Sequence, residues 1–368
     1  MVQSNNKTDN SHSEDEGIIL SFASDNYAGV HPKIIDAILK ANTDQYARPY
    51  CYDKYATNFT NLMNDVFETE VASFVVFNGT GSNIVATRAC LPSYGAVIAP
   101  ETAHINTDEA GAPERSAGIK VITASGAGYG HEDAGTLSVH SDYEYLQAPA
   151  YYDNGKITPD IIKHIAESKG NIHSAQPRAV TISNVTELGT VYSPAEIAQL
   201  ADTAHSAGLK LHIDGARIFN AVAAKNSSFK EMLLDTGVDV VSLGGTKIGA
   251  MGAEAIVVFD DKGRNADLAD AIFYGRKQMT QLASKGRYLG AQLVALFEDD
   301  LGLSLARHSN DMMKLLSKKI EAGLWAGLDG GVLGARAGLD GGLIAGAGLE
   351  KLEYLCEIDA NSAFPIFE

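Results

Sequence analysis

Short apolar runs alternate with helix-like segments along most of this chain. Seven runs of four to six residues lie at 72–77, 96–99, 119–123, 179–183, 209–213, 238–243 and 255–259. Between several of them, apolar residues recur three or four positions apart, the period of a helix with one buried face. Strands that alternate with helices are typical of domains built on a parallel sheet. We therefore predict an α/β fold in which helices flank a mostly parallel seven-stranded sheet.

The ends of several helices are also marked in the sequence. Pro32 opens an apolar pattern of helical period, and the same test predicts a helix at 56–67. Ser193 and Glu196 have the spacing of a capping box, and Gly208 follows the last periodic residue of that segment. These signals predict helices that begin at Pro32 and directly after Ser193.

Chain length predicts more than one domain. With 368 residues, the chain exceeds the size at which one core usually keeps growing. We predict a disordered polar tail, 1–16, a large domain with an N-terminal arm, 17–265, and a smaller C-terminal α/β domain, 266–368. A long surface loop is expected at 125–152, and the many glycines of 322–348 weaken any helix prediction there.

Composition excludes several classes of partner. The net charge of −17, with 29 basic against 46 acidic residues, disfavours nucleic-acid binding. No apolar stretch approaches a membrane span, and no His, Asp and Glu spacing is typical of a metal site. Cys51, Cys90 and Cys356 are far apart and odd in number, which favours a reducing compartment. We expect a cytoplasmic protein that binds a small molecule.

An acid and an amine follow two of the predicted strands. Asp214 comes directly after 209–213, and Lys247 lies in a glycine-rich segment after 238–243. In open α/β sheets, ligands bind at the carboxyl ends of the strands, so the two groups can converge on one molecule. Pyridoxal phosphate needs such a pair, because a lysine binds its aldehyde and a carboxylate keeps its pyridinium ring an electron sink. A hairpin turn and a solvated lysine are the alternatives.

A glycine-rich segment at 78–82 follows the first predicted strand and precedes a helix predicted at 83–90. A strand, a glycine turn and a helix start present free N–H groups and a helix dipole to a phosphate. The hydroxyl groups of Thr80 and Thr246 can add further donors. An ordinary tight turn is the alternative, since short turns rich in glycine are common.

His104 lies just beyond the strand predicted at 96–99, at the same carboxyl edge. An imidazole there could stack on an aromatic ring or act as a base near neutral pH. The alternative is a structural histidine at a helix start. Taken by itself, the segment favours the structural histidine.

With these residues assembled, the chain resembles the low-specificity L-threonine aldolases, which are pyridoxal-phosphate enzymes of fold type I. The resemblance covers about residues 22–259, and its most specific piece is the string HIDGARIFNAV at 212–222. It implies a homodimer or homotetramer with pyridoxal 5'-phosphate as cofactor. It also implies retro-aldol cleavage of L-threonine, L-allo-threonine and related β-hydroxy-α-amino acids to glycine and an aldehyde.

The resemblance implies a role for each matching residue. Lys247 would form the Schiff base with the cofactor, Asp214 would pair with the pyridinium nitrogen, and His104 would stack on the ring. Arg217 would bind the substrate carboxylate and approach the phenolic oxygen of the cofactor, and Ser24 would help to hold that carboxylate. The phosphate would be bound by Gly79, Thr80 and Thr246.

The chain also departs from the family pattern. Glu187 stands where many members carry a second histidine, and it could act as a base or only bond a loop. His104 or an ordered water could instead take the hydroxyl proton. Because the chain stops at Glu368, we expect an incomplete small domain without the arginine that completes the family's carboxylate clamp. The alternatives are an aminotransferase, a β-eliminating lyase, and a weakly active or non-catalytic member.

Overall fold

The computed structural model describes residues 24–124, 154–260 and 263–327. The predicted tail, 1–16, and the predicted loop, 125–152, lie outside the described residues. Of the glycine-rich segment, 322–327 forms the end of a helix, and the rest lies outside the described residues. The possible strand at 363–367 also lies outside them.

One seven-stranded sheet forms the centre of the described part. Its strands are β1 Ala72–Val76, β2 Gly95–Pro100, β3 Lys120–Ala124, β4 Gln176–Ser183, β5 Lys210–Gly215, β6 Val240–Gly244 and β7 Glu254–Val258. Their order across the sheet is β1-β7-β6-β5-β4-β2-β3. Strands β2 to β6 pair in parallel, whereas β7 is antiparallel to both neighbours. All seven predicted strands are confirmed, as is the mostly parallel sheet.

Helices pack on this sheet. Their bounds are α1 Pro32–Asn42, α2 Lys54–Phe67, α3 Gly79–Ala89, α4 His104–Thr107, α5 Ala112–Ala117, α6 Pro159–Ala166, α7 Pro194–Ser206, α8 Ile218–Lys225, α9 Ala266–Gln278, α10 Arg287–Phe297 and α11 Leu301–Gly327. Among the described residues, no helix combines the length and the apolar character that a membrane crossing requires.

Capping residues explain where several helices begin. The predicted capping box is confirmed: the Glu196 N–H donates to Ser193 Oγ at 3.3 Å, and the Ser193 N–H donates to Glu196 Oε2 at 2.7 Å. The helix predicted at 56–67 begins at Lys54, because Asp53 accepts the N–H groups of its first turn. The sequence pattern located these helices, and the side-chain caps set their first residues.

The start of α3 was predicted four residues too late. The prediction placed a turn at 78–82 and the helix at 83–90, whereas α3 begins at Gly79. Asn78 caps it by accepting the Gly81 N–H at 2.7 Å, so the glycines form the first helical turn. This correction places the first N–H groups of a helix directly after β1.

The core lies on both faces of the central strands. Every residue of β6 and β7 is buried, and the side chains of α10 join the same apolar cluster as β5 and β6 through Leu289, Leu293 and Leu296. Helix α10 therefore packs with the sheet, although it follows residue 265. The domain boundary at 265 stays a prediction.

Candidate active site

The structure places the acid and the amine at the carboxyl edge of the sheet. Asp214 is the penultimate residue of β5, and Lys247 follows β6 in a short 3-10 turn, Thr246–Ile248. His104 begins α4 just after β2. The charges of Asp214 and Lys247 both act on the pKa of the His104 ring, so the three side chains share one site.

The surroundings of Lys247 favour the neutral form of its amine. Burial lowers the pKa of the side-chain amine, and the positive charge of Arg217 lowers it further, against the opposing charges of Asp25, Asp214 and Glu254. Within the described residues, no hydrogen bond or salt bridge engages this amine. A lysine with a lowered pKa has more of the neutral form that attacks an aldehyde.

Glu254 at the start of β7 positions the turn that carries Lys247. Its carboxyl group accepts the N–H groups of Gly245 at 3.2 Å and Thr246 at 3.3 Å. Burial raises the pKa of Glu254 to about 7, although these donors and the Thr246 hydroxyl oppose the shift. Glu254 could not be identified from the sequence, where it stands only at the polar end of an apolar run.

Gly244 lets the Lys247 loop pass close to the loop that follows Asp214. A Cβ at position 244 would lie 2.4 Å from the carbonyl oxygen of Ala216 and 2.7 Å from its Cα. Ala216 stands between Asp214 and Arg217 in the chain. Because backbone atoms cannot move aside as a flexible side chain can, Gly244→Ala is expected to lower the free energy of unfolding by about 1–3 kcal/mol. Thermal unfolding measures this loss.

A matched control for this variant is Gly29→Ala, because a Cβ at position 29 would meet nothing within 4 Å. We expect the control to keep the wild-type melting temperature or to raise it slightly. If Gly244→Ala melted like the control, the close approach of the two loops would be contradicted.

A hydrogen-bond network joins Asp214 to His104. Asn83 Nδ2 donates to Asp214 Oδ2 at 2.7 Å and to Glu109 Oε1 at 3.0 Å, and Glu109 Oε1 lies 3.2 Å from Nδ1 of His104. The Ala216 N–H donates to Asp214 Oδ1 at 3.0 Å. These contacts fix the carboxylate and orient the imidazole. Neither Asn83 nor Glu109 was predicted as a site residue.

The bond to Glu109 raises the pKa of His104 above its ordinary value, against the opposing effect of burial, and Asp214 raises it further. Glu109 Oε1 contacts Nδ1 of His104, and a carboxylate can only accept a hydrogen bond. Nδ1 therefore carries a proton that this contact holds in place. The side chain keeps 34% of its surface exposed. His104 therefore has an oriented ring with an accessible part, as a stacking residue needs.

The start of α3 presents anion-binding groups at the same edge. Among the described residues, the N–H groups of Gly79 and Thr80 donate to no other residue, and open space surrounds the Cβ position of Gly79. Ser82 Oγ on the same helix is buried without a hydrogen-bond partner there. Free N–H groups and the helix dipole favour a phosphate at this position.

Arg217 is paired with a residue that the sequence analysis did not assign. Asp25 accepts two hydrogen bonds from its guanidinium group, from Nε at 2.6 Å and from Nη2 at 3.0 Å. Ser24, which was predicted to hold the substrate carboxylate, accepts the Asn26 N–H at 3.1 Å and caps the turn that carries Asp25. Asp25 thus fixes one edge of the guanidinium, and the remaining N–H donors can bind another carboxylate.

These groups fit pyridoxal phosphate. The site has a buried amine for the aldehyde, a carboxylate with further acceptor capacity for a ring nitrogen, and free N–H groups for a phosphate. Asn83 Oδ1 and Glu109 Oε2 are buried there without partners among the described residues. Buried polar atoms without partners mark sites where a ligand or ordered water completes the hydrogen bonding.

Solved structures of the same architecture include a threonine aldolase of Leishmania major. It superposes with a TM-score of 0.69 at 29% sequence identity, over 82% of this chain and 79% of that chain. An aspartate aminotransferase of Thermus thermophilus superposes with a TM-score of 0.58 at 14% identity, over 80% of this chain and 70% of that chain, which is a likeness of fold alone. These neighbours confirm the predicted fold type I.

Sequence comparison gives the same relatives. A low specificity L-threonine aldolase of Pseudomonas aeruginosa is 39% identical over 300 residues, which are 81% of this chain and 78% of that protein. Another of Saccharomyces cerevisiae is 29% identical over 162 residues, which are 44% of this chain and 35% of that protein. The family model described as beta-eliminating lyase matches residues 21–326. The chain therefore belongs to the beta-eliminating lyase family.

Proposed function

We propose that this protein is a threonine aldolase, a lyase that splits L-threonine, L-allo-threonine and related β-hydroxy-α-amino acids into glycine and an aldehyde. The observation that carries this proposal is the buried amine of Lys247 beside Asp214 and Arg217 at one sheet edge. The relatives described above support this proposal, because they are named threonine aldolases and are up to 39% identical to this chain.

Pyridoxal 5'-phosphate is the cofactor of the family, and we assign its contacts to residues of this site. Lys247 would hold the aldehyde and Asp214 the ring nitrogen, with His104 against the ring. The phosphate would be bound by Gly79 and Thr80, whereas both donors of Thr246, which was predicted to join them, are directed to Glu254. When bound, the cofactor supplies an electron sink for the bond broken at Cα of the amino acid.

The chain's own residues would bind and orient the amino acid. Arg217 would hold the substrate carboxylate with the N–H donors that Asp25 leaves, and the bidentate pair keeps the guanidinium from rotating away. Ser24 would help from the adjoining turn. A fixed carboxylate sets the direction of the Cα–Cβ bond, and alignment of this kind lowers the barrier by limiting unproductive poses.

Product analysis tests this proposal. The purified protein is incubated with pyridoxal phosphate and with L-threonine, L-allo-threonine or D-threonine, and glycine and acetaldehyde are measured. We expect equal amounts of the two products from the L-isomers. A keto acid without free ammonia would instead indicate an aminotransferase, and a keto acid with free ammonia would indicate a β-eliminating lyase. Bound cofactor without turnover of any hydroxy-amino acid would indicate a non-catalytic member.

We also propose that the protein works as a homodimer or homotetramer in the cytoplasm. Large aromatic side chains stand exposed on the described surface, including Tyr46 at 96%, Tyr27 at 68% and Tyr274 at 67%. Tyrosine is enriched at protein interfaces, where its ring is buried and its hydroxyl stays hydrogen-bonded. The free thiols of Cys51 and Cys90 suit a reducing compartment.

A further inference from the structure

Glu187 lies at the same edge of the sheet as the candidate active site. It follows the last residue of β4, Ser183, by four positions, and Ser183 pairs with Asp214 across the sheet. Its Oε1 atom accepts the backbone N–H of His104 at 2.7 Å and the hydroxyl group of Ser183 at 2.5 Å. The carboxyl group is therefore held against the start of α4 and the end of β4.

The second carboxyl oxygen of Glu187 has no such contact. Oε2 is buried and has no hydrogen-bond partner among the described residues. Leaving a buried acceptor unpaired costs about 1–3 kcal/mol, so an atom of this kind in a site is a candidate to contact the ligand. One oxygen is thus used to fix the side chain, and the other is left for a donor that arrives with the ligand.

The surroundings also tune the acidity of this group. Burial raises the pKa of Glu187, and the negative charge of Asp214 adds to the increase. The hydrogen bonds from Ser183 and from the His104 N–H oppose it without cancelling it. The charged group that acts on this carboxyl is Asp214 on β5, and His104, whose backbone N–H the carboxyl accepts, is itself paired with Glu109. A raised pKa makes a carboxylate a stronger base.

We propose that Glu187 is the base that takes the proton from the β-hydroxyl group of the substrate, through its free oxygen Oε2. This inference rests on the proposed aldolase function. The hydroxyl proton moves to Oε2, the oxygen electrons form the carbonyl of the aldehyde, and the Cα–Cβ bond breaks with its electron pair left at Cα. A proton then added at Cα gives glycine, so the reaction needs no oxidant or reductant.

Glu187→Gln separates this role from a purely structural one. The amide oxygen of glutamine can accept the same two hydrogen bonds from Ser183 and the His104 N–H, so the local structure is kept. The amide nitrogen then stands where Oε2 was and cannot take a proton. We expect the rate of threonine cleavage to fall about 10²–10⁴-fold, the usual contribution of a general base.

A second reaction of the same enzyme serves as the internal control. Exchange of the α-proton of glycine with deuterium in D₂O requires the cofactor and the amino-acid contacts but no β-hydroxyl group. We expect Glu187→Gln to keep this exchange within a few-fold of the wild type. Proton NMR of glycine measures it on the same samples.

The pH dependence of kcat/KM is an independent test of Glu187 as the base. In the wild type, kcat/KM is expected to fall as the pH decreases through the raised pKa of Glu187, and Glu187→Gln should lose this acid limb. Ser183→Ala removes a donor that lowers the pKa of Glu187 but keeps the carboxyl. We therefore expect its acid limb to move to higher pH.

A readout without the cofactor tests the buried carboxyl itself. Because the pKa of Glu187 is raised by folding, its neutral form stabilises the fold at low pH, and this contribution is lost as the pH rises through the raised pKa. Urea unfolding of the cofactor-free protein should therefore show the wild type losing stability relative to Glu187→Gln as the pH increases. Parallel curves for the two proteins would contradict a raised pKa.

Two kinetic outcomes would overturn the assignment. If Glu187→Gln cleaved threonine at nearly the wild-type rate, Glu187 would not be the base. If cleavage and glycine exchange fell by the same factor, the residue would only hold the site together. A wild-type protein that exchanges the glycine proton but cleaves no hydroxy-amino acid would instead refute the aldolase function, which is a different result.

Discussion

Lys247→Ala is expected to abolish cleavage of L-threonine and to remove the visible absorbance of bound cofactor. The amine is buried, and its lowered pKa favours the neutral form that reacts with an aldehyde. No nearby lysine on the same turn can replace it. We expect turnover to fall by about 10⁶-fold, the scale on which removal of a covalent catalytic residue acts. Coupled aldehyde assay and absorbance spectra measure the two effects.

Lys40→Ala is the matched control, because Lys40 is an exposed lysine in the last turn of α1. It should keep both absorbance and activity. Thermal unfolding of Lys247→Ala without cofactor would show that the fold persists. Threonine cleavage by Lys247→Ala at a rate near that of the wild type would overturn the assignment of Lys247.

The strands and their edge could be predicted because the signals are local. A run of four to six apolar residues indicates a strand without knowledge of the strands beside it. In a parallel sheet, the residues that follow each strand lie at the same edge. Asp214 and Lys247 therefore could be paired before the fold was known. The order β1-β7-β6-β5-β4-β2-β3 and the antiparallel β7 depend on the packing of the whole chain, which no local pattern encodes.

The residues that position the active-site side chains could not be predicted either, because their contacts also depend on the packing of the whole chain. Asn83 binds Asp214 across 131 positions of sequence, and Asp25 binds Arg217 across 192. Each partner is an ordinary polar residue in its own segment. Glu109, five residues beyond His104 and just after the end of α4, had a weak signal as an acid close to that histidine in the sequence. Only the fold brings such residues together.

One histidine of the sequence motif at 212–222 has a structural role. His212 belongs to the most specific string of the sequence, but its ring is buried between neighbouring strands. Its nitrogens lie 2.7 Å from Thr181 Oγ1 and 3.0 Å from Ser242 Oγ. Burial lowers the pKa of His212 to about 4, so the ring is neutral at physiological pH. It joins β4, β5 and β6 below Asp214.

The second large effect is expected for Asp214→Asn, which keeps the shape of the side chain and removes its charge. Asp214 accepts from Asn83 on one oxygen and from the Ala216 N–H on the other. An asparagine can accept only one of these bonds, so its amide group would face a second donor in either orientation. This conflict costs about 1–3 kcal/mol and twists the group away from its place.

Loss of the negative charge adds a direct effect on the reaction, because the carboxylate is the group that would keep a bound pyridine nitrogen protonated. We expect kcat to fall about 100-fold or more, equivalent to about 2.7 kcal/mol of barrier. The cofactor affinity should fall as well. Steady-state kinetics at saturating pyridoxal phosphate separate the loss of rate from the loss of cofactor.

Asp239→Asn distinguishes a charge needed for chemistry from a charge needed for folding. Asp239 is also buried and precedes β6 at the amino edge of the sheet, where it pairs with His205 and accepts from Leu211 N and Asn265 Nδ2. Its replacement should lower the melting temperature without changing kcat of the folded enzyme. If Asp214→Asn behaved in the same way, Asp214 would be a structural residue, and the electron sink would have to be maintained by another group.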